Sequence, residues 1–301
     1  MPPAEEAPDL RRLVRSASTA LAEAGVPSPD VDARALAAHL LGVEQLVLAL
    51  PPTLPPDFPA RYAELVQRRR RREPLQLITG AAYFRHLRLR MRAGVFIPRP
   101  ETEVVAGHAI TFATASHGRG EDAAGQPAAG PLVVDLCCGA GPIALSVAHE
   151  VPGSTVLAID ANPAAVDLTR KNAEAYGLAV QVQEGDVGDP GLLAEHDGQV
   201  DVLAANPPYI PPGAHPRQQE VRKHDPHAAL YGGGPDGLDV PRAVIGAATR
   251  LLRSGGMLVM EHAEVQGEAA RTEVAATGAF TEIRTAADLS GRPRMVIARR
   301  R

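Results

Sequence analysis

From Leu132 to the end of the chain, short apolar runs alternate with helix-length segments, and this alternation constrains the fold more than any other feature. Leu132-Val133-Val134-Asp135-Leu136 reads as a strand and Pro142 to His149 as a helix. Thr155 to Asp160 is a second strand, and Pro163 to Tyr176 a second helix. Val180-Gln181-Val182 and Val200 to Ala204 add two strands, Pro241 to Leu252 a helix, and Gly256 to Glu261 another strand. Phe280 to Arg284 and Arg294 to Ala298 can pair at the end. Strands and helices alternating at these lengths imply an α/β fold, a mainly parallel sheet with helices on both faces. Ligands of such sheets bind beyond the carboxyl ends of the strands. Residues that carry chemistry should gather there.

The part before this alternation has a different pattern. Leu10, Leu13, Val14, Ala17 and Leu21 follow helical spacing, and Gly25 with Pro27 ends that run. Ser28 or Asp30 can cap a second helix carrying Val31, Ala35, Leu36 and Leu40, which stops near Gly42. A third helix is expected from about Ala60 into the arginines Arg68 to Arg72. An arginine run reads first as a solvated helix end, and second as a patch for an anionic partner. Leu75 to Pro100 switches to short alternating segments and is expected to form a β-hairpin linker. A helix then starts near Glu101 with Val104, Val105, Ala109 and Phe112 on one face, and His117 to Gly130 reads as a loop. The expected division is a helical domain over 1–74, the linker over 75–100 and the α/β domain over 101–301.

Composition narrows the classes. The chain has 301 residues, 45% of them hydrophobic and 22% charged, as in soluble globular proteins. No run approaches the roughly 20 apolar residues of a membrane-spanning helix, and the acidic, proline-rich start is unlike a secretory signal. A cytoplasmic location without membrane association is expected. The formal net charge of −4 gives no global signal for nucleic acid, so no stable nucleic-acid partner is expected. The only cysteines, Cys137 and Cys138, are adjacent. Their Cα atoms lie about 3.8 Å apart, too close for an unstrained bridge. Reduced thiols acting as small hydrophobes are expected, with no metal site.

Three elements at successive strand ends point to a nucleoside cofactor. The turn Cys137-Cys138-Gly139-Ala140-Gly141 follows the first strand of the alternation, and Gly139 and Gly141 permit a tight turn and close approach to the backbone. Asp160 ends the next strand, where a carboxylate can accept hydrogen bonds from both ribose hydroxyls. Gly185-Asp186 follows the third strand, where an acidic side chain or nearby backbone can hold an adenine amino group. A dinucleotide site would need a Gly-x-Gly-x-x-Gly turn for its pyrophosphate, and the spacing here lacks it. A cofactor without phosphates fits better.

The most specific feature is Asn206-Pro207-Pro208-Tyr209 at the end of the fourth strand. An amide nitrogen is a poor nucleophile because its lone pair is delocalised into the carbonyl. A site can instead accept hydrogen bonds from both amide hydrogens and aim the nitrogen at an electrophile. The Asn206 side-chain oxygen and the Pro207 carbonyl are two such acceptors. Each proline restricts the residue before it, so the acceptors are preorganised. Tyr209 offers a flat face to a planar amide.

With these residues in hand, the chain resembles the HemK/PrmC family of protein glutamine methyltransferases, which modify class I peptide chain release factors. The resemblance is carried by Arg72-Glu73-Pro74-Leu75-Gln76 with Thr79-Gly80, by Phe96-Ile97-Pro98-Arg99-Pro100-Glu101-Thr102-Glu103, and by Asn206 through Pro211. Asp236-Gly237-Leu238-Asp239 and Gly291-Arg292-Pro293-Arg294 extend it towards the end. It implies a Rossmann-like class I methyltransferase domain with a mainly parallel seven-stranded sheet, preceded by a small helical bundle that helps bind the release factor. It implies S-adenosylmethionine as cofactor, S-adenosylhomocysteine as product, and the glutamine of a Gly-Gly-Gln loop as substrate. By position, Asn206, Pro207 and Tyr209 would be catalytic, and with Pro208, Phe96 and Arg99 would hold the substrate. Cys137, Cys138, Gly139, Ala140, Gly141, Asp160, Asp186, Val187 and Asn206 would hold the cofactor. A working monomer is expected. The family usually has glycine and threonine where this chain has Cys137 and Cys138, so the space near the methionine part of the cofactor should be narrower.

Three other readings share some of these features. The Asn-Pro-Pro-Tyr logic serves the exocyclic amines of flipped adenine or cytosine equally well, though no insert for reading nucleic-acid sequence is visible. A related methyltransferase could act on another protein or a small molecule. A binding partner of the translation machinery that has lost methyl transfer is the third, with the Cys137 departure in its favour and the intact Asn206 motif against it.

Overall fold

The structure is a computed structural model that describes residues 9–49, 52–116 and 130–301. The helices α1 (Leu10–Glu23), α2 (Pro29–Leu41), α3 (Phe58–Arg70) and α4 (Leu75–Thr79) come first. A two-stranded hairpin, β1 (Ala81–Phe84) and β2 (Leu87–Arg90), leads to α5 (Thr102–Ser116). The alternating part then runs β3 (Leu132–Leu136), α6 (Pro142–Glu150), β4 (Thr155–Asp160), α7 (Pro163–Tyr176), β5 (Val180–Glu184) and β6 (Val200–Ala205). It continues through α8 (Gln219–His224), α9 (Asp239–Leu251), β7 (Leu252–Glu261), α10 (Gly267–Ala276), β8 (Phe280–Ala287) and β9 (Pro293–Arg300). Among the described residues no helix is long and apolar enough to cross a membrane.

Two compact units divide the chain: Met1–Ala81 with Arg217–His224, and Ala82–Pro216 with Asp225–Arg301. In the first, Asp9 caps α1 by accepting the Arg11 N–H at 3.0 Å, and Gly25 turns the chain at φ 71°. Leu10, Val14, Ala17 and Leu21 close on Ala33, Leu36, Phe58 and Tyr62 in one core. The linker expected over 75–100 begins instead with α4, whose Ile78 is buried in that same core and whose Leu75 packs against it. Burial of these side chains overrides the alternating pattern, and the hairpin is confined to β1 and β2.

The arginine run is not simply a solvated helix end. Arg70 and Arg71 are exposed, but Arg69 is buried and donates to Asp32 at 2.7 Å and to Glu220 at 3.0 Å. Arg72 clasps Glu220 with two hydrogen bonds of 2.7 and 2.8 Å. Glu220 lies on α8, so these pairs tie a segment from far along the chain into the helical unit.

In the second unit a seven-stranded sheet runs β5-β4-β3-β6-β7-β9-β8. All neighbours are parallel except β9, which is antiparallel to both β7 and β8. Alternate side chains feed two cores. Val133, Val156, Val202 and Val259 meet α5 and α6 on one face. Val134, Leu157, Leu203 and Leu258 meet α9 and α10 on the other. Burial on both faces is what a parallel sheet requires. On α5 the fully buried stripe is Thr102, Val105, Ala106, Ala109 and Ala113, while Val104 and Phe112 are only partly covered. The loop expected from His117 lies outside the described residues as far as 129.

Candidate functional site

The carboxyl ends of β3, β4, β5 and β6 collect the residues singled out by sequence. In the β3–β6 pairing Leu136 is opposite Ala205, so Cys137 and Asn206 are the first residues to leave adjacent strands. The Asp160 carboxylate accepts the Gly139 N–H at 2.8 Å and the Asn162 N–H at 2.8 Å. The Asp160 carbonyl accepts the Gly185 N–H at 3.1 Å, which brings the Gly185-Asp186 turn against the same residue. Burial raises the Asp160 carboxyl, and the two backbone N–H groups oppose that rise. The glycine turn, Asp160 and the Asp186 turn are therefore neighbours. Asp186 itself is exposed, and its Oδ1 accepts the Gly188 N–H at 2.8 Å in a local turn.

The glycine turn is held from below. Thr169 on α7 donates to the Gly139 carbonyl at 2.8 Å, and Asn172 donates to the Ala140 carbonyl at 3.0 Å. Gly141 is at φ 87°, and a Cβ there would meet Thr169 Cγ2 at 2.8 Å and Leu145 Cδ1 at 2.9 Å. Gly139, also left-handed at φ 58°, faces open space, because its Cβ would meet nothing within 4 Å. Both cysteines are free thiols, pushed up chiefly by burial. Cys138 is buried 3.8 Å from the Thr169 hydroxyl, whereas Cys137 is partly exposed and stands at φ 63°, a conformation that favours glycine. Asp135, entirely buried under the turn, accepts the Ala144 N–H at 3.0 Å through one oxygen, and its other oxygen has no partner among the described residues. Burial pushes its carboxyl up to about 8.

At the tip of β6, Asn206 donates its side-chain NH2 to the Thr102 hydroxyl at 3.1 Å. Thr102 in turn donates to Glu261 Oε2 at 2.8 Å, and the Tyr209 hydroxyl donates to Glu261 Oε1 at 3.1 Å. The turn is backed by glycines: a Cβ on Gly232 would lie 1.9 Å from the Gly237 carbonyl oxygen and 2.6 Å from that of Pro208. Gln266 bridges the Tyr209 carbonyl at 2.9 Å and the Asp236 carbonyl at 3.0 Å. Thr102 stands inside a distinctive sequence segment, but no local pattern marks Asn206 as its partner. Glu261 and Gln266 carry only one sequence signal, a polar side chain at or just past the end of a buried strand. Arg99 stacks over Phe96 with 4.9 Å from guanidinium carbon to ring centre, and pairs with the Asp225 carboxylate. Asp225 also accepts the Ile97 N–H at 3.4 Å, so this corner is fixed by its own contacts.

Known proteins resemble this chain at the level of domains and of nearly its whole length. The family model described as the PrmC N-terminal domain matches residues 12–80, and that of the methyltransferase small domain matches residues 126–220. The release factor glutamine methyltransferase of Streptomyces coelicolor is 44% identical over 288 residues, covering 95% of this chain and 96% of that protein. That of Mycolicibacterium smegmatis is 42% identical, covering 97% of this chain and 98% of its own length. The chain belongs to the release factor glutamine methyltransferase family. The family's Mycobacterium tuberculosis member is 40% identical over 295 residues. Among solved structures, the T. thermophilus 16S rRNA N2 G1207 methyltransferase RsmC, in complex with AdoMet and guanosine, superposes with a TM-score of 0.50 at 21% identity. That match covers 73% of this chain and 50% of RsmC and supports the methyltransferase fold alone.

Proposed function

We infer that the chain transfers a methyl group from S-adenosylmethionine to the side-chain amide nitrogen of the glutamine in the Gly-Gly-Gln motif of class I peptide chain release factors. Family membership across nearly the whole chain supports the activity, and the disposition of Asn206 supports the chemistry. The observation that carries this reading is that Asn206 engages Thr102 through its NH2, at 3.1 Å, which leaves its carbonyl oxygen to accept from a substrate.

The residues present fit the cofactor. Open space in front of Gly139, with Asp160 beside it and the Gly185-Asp186 turn against Asp160, forms a cradle for a nucleoside. In this reading Asp160 uses its remaining lone pairs for the ribose hydroxyls, and the Asp186-Val187 turn lies beside the base. Cys137 to Gly141 line the amino-acid end. When bound, S-adenosylmethionine supplies an electrophilic methyl group on a positively charged sulfur.

The remaining work falls to this chain's own groups. Asn206 Oδ1 and the Pro207 carbonyl accept the two hydrogens of the glutamine amide and fix the nitrogen's approach. Pro207 and Pro208 limit the motion of those acceptors. Tyr209, its hydroxyl held by Glu261, presents its ring to the amide plane. Orientation of this kind lowers a barrier by several kcal/mol without a strong base, and the methylated amide then releases one of its two original N–H protons to water. Phe96 and Arg99 border the pocket, the helical unit helps hold the body of the release factor, and the enzyme works as a monomer in the cytoplasm.

The test is incubation with labelled S-adenosylmethionine and, in turn, a release factor, its Gly-Gly-Gln→Gly-Gly-Ala variant, and DNA. Label is expected on the first alone. Label on DNA, or none on any of them despite cofactor binding, contradicts the proposal.

A further inference from the structure

Glu261 is a buried carboxyl group whose only part in the chemistry above is to hold the Tyr209 hydroxyl. It is 1% exposed at the end of β7, and two hydroxyls converge on it, from Thr102 at 2.8 Å and Tyr209 at 3.1 Å. Thr102 is equally buried, at 1% exposure, and links Glu261 to Asn206.

We propose that Glu261, acting through Thr102, is the positioning residue that sets which end of the Asn206 carboxamide faces the substrate. This deepens the glutamine-binding reading of Asn206 and rests on it. An ionised carboxylate can only accept hydrogen bonds. Thr102 has a single hydroxyl proton, and Glu261 Oε2 takes it. Only lone pairs of Thr102 then face Asn206, so Asn206 must turn its NH2 inward, as the 3.1 Å contact shows. Its oxygen is thereby directed outward, where an amide N–H can be received. Which way a carboxamide faces is decided by such a network and by little else, because its oxygen and nitrogen ends are nearly the same shape. The same carboxylate holds the Tyr209 hydroxyl, so one buried group orders both ends of the Asn-Pro-Pro-Tyr turn.

Protonation of Glu261 would undo this polarity. Its new proton could point at Thr102, freeing the Thr102 proton to attract the Asn206 oxygen inward. Burial pushes the Glu261 carboxyl up to about 7, against the hydrogen bonds from Thr102 and Tyr209 that hold it down. Of the charged groups around it, Arg294 on β9 lowers it and Glu101, just before α5, raises it. His262, next along the chain, is occupied with the Ala263 carbonyl at 2.8 Å. The wild-type kcat should therefore fall as pH drops through neutrality.

The experiment measures kcat and KM for release-factor methylation, with S-adenosylmethionine affinity from calorimetry, in wild type, Thr102→Val, Thr102→Ser and Glu261→Gln. Thr102→Val keeps the shape and loses the hydroxyl, and should lower kcat about ten- to hundredfold while cofactor affinity stays within about threefold. Thr102→Ser restores the relay and should bring kcat back. In Glu261→Gln the amide oxygen can still accept from Thr102 but cannot titrate, so the acid limb of the kcat profile near neutrality should vanish. Wild-type kcat in Thr102→Val, or an unchanged acid limb in Glu261→Gln, overturns this proposal and leaves the glutamine reading standing. A wild-type enzyme that places no label on the release factor overturns both.

Discussion

At the scale of single residues, the site is built from groups whose burial sets their protonation. Asp135 is wholly buried, its carboxyl is raised from 3.8 to about 8 by desolvation, and the Ala144 N–H only partly offsets this. The folded chain thus holds a proton that the unfolded chain releases, so stability should fall as pH rises from about 4 to about 8. Asp135→Asn keeps a carbonyl for Ala144 and removes the titration. Across that window its stability should gain progressively on wild type, read as a widening gap in melting temperature. Equal differences at pH 5 and pH 8 would contradict this. Cys137 stands at φ 63° in the cofactor turn, where a side chain costs about 1–2 kcal/mol and glycine almost nothing. Cys137→Gly should therefore raise the melting temperature. Because the thiol also narrows the space expected for the methionine part of the cofactor, the same change should tighten S-adenosylmethionine binding by a few fold in calorimetry; weaker binding would show that the thiol is a useful contact.

At the scale of elements, the Asn206 turn depends on the segment packed behind it. Gly232 touches the Pro208 carbonyl so closely that a methyl group there would fall at 2.6 Å. Gly232→Ala should push the turn out of place and cut kcat about tenfold or more, with cofactor affinity little changed. An unaffected kcat would mean that the turn tolerates displacement. The return of α8 to the helical unit rests on Glu220, clasped by Arg72 and Arg69. Burial raises the Glu220 carboxyl, but these hydrogen bonds outweigh it and hold it down at about 2. Its stabilisation is present above about 4.5 and lost as pH falls towards 2. Losing this carboxylate leaves Arg72 without its ion-pair partner, so Glu220→Gln should melt earlier than wild type at pH 7 and converge with it near pH 2. A gap that persists at pH 2 would point to packing rather than charge.

At the scale of the whole molecule, the α/β alternation was readable because the central strands β3, β4 and β6 are apolar on both faces, the outer strands β5 and β8 alternate, and helices such as α6 and α7 start at a proline. The succession of strands from β3 to β9 follows that reading, with ends shifted by a few residues, whereas α8 and α10 were not among the expected elements. What could not be read were contacts across long separations. Glu220 meets Arg72 from 148 residues away. No local pattern marks α8 as part of the helical unit. Thr102 and Glu261 likewise acquire meaning only when α5, β6 and β7 converge. The strand-end motifs were legible because their chemistry is local: a turn needs its glycines, and a rigid acceptor pair needs its prolines. The most direct test of the central claim is a structure with S-adenosylhomocysteine and a Gly-Gly-Gln peptide bound. The expected result is the glutamine amide nitrogen about 3 Å from both Asn206 Oδ1 and the Pro207 carbonyl oxygen, facing the cofactor sulfur. An amide held elsewhere, with Asn206 still turned to Thr102, would contradict it.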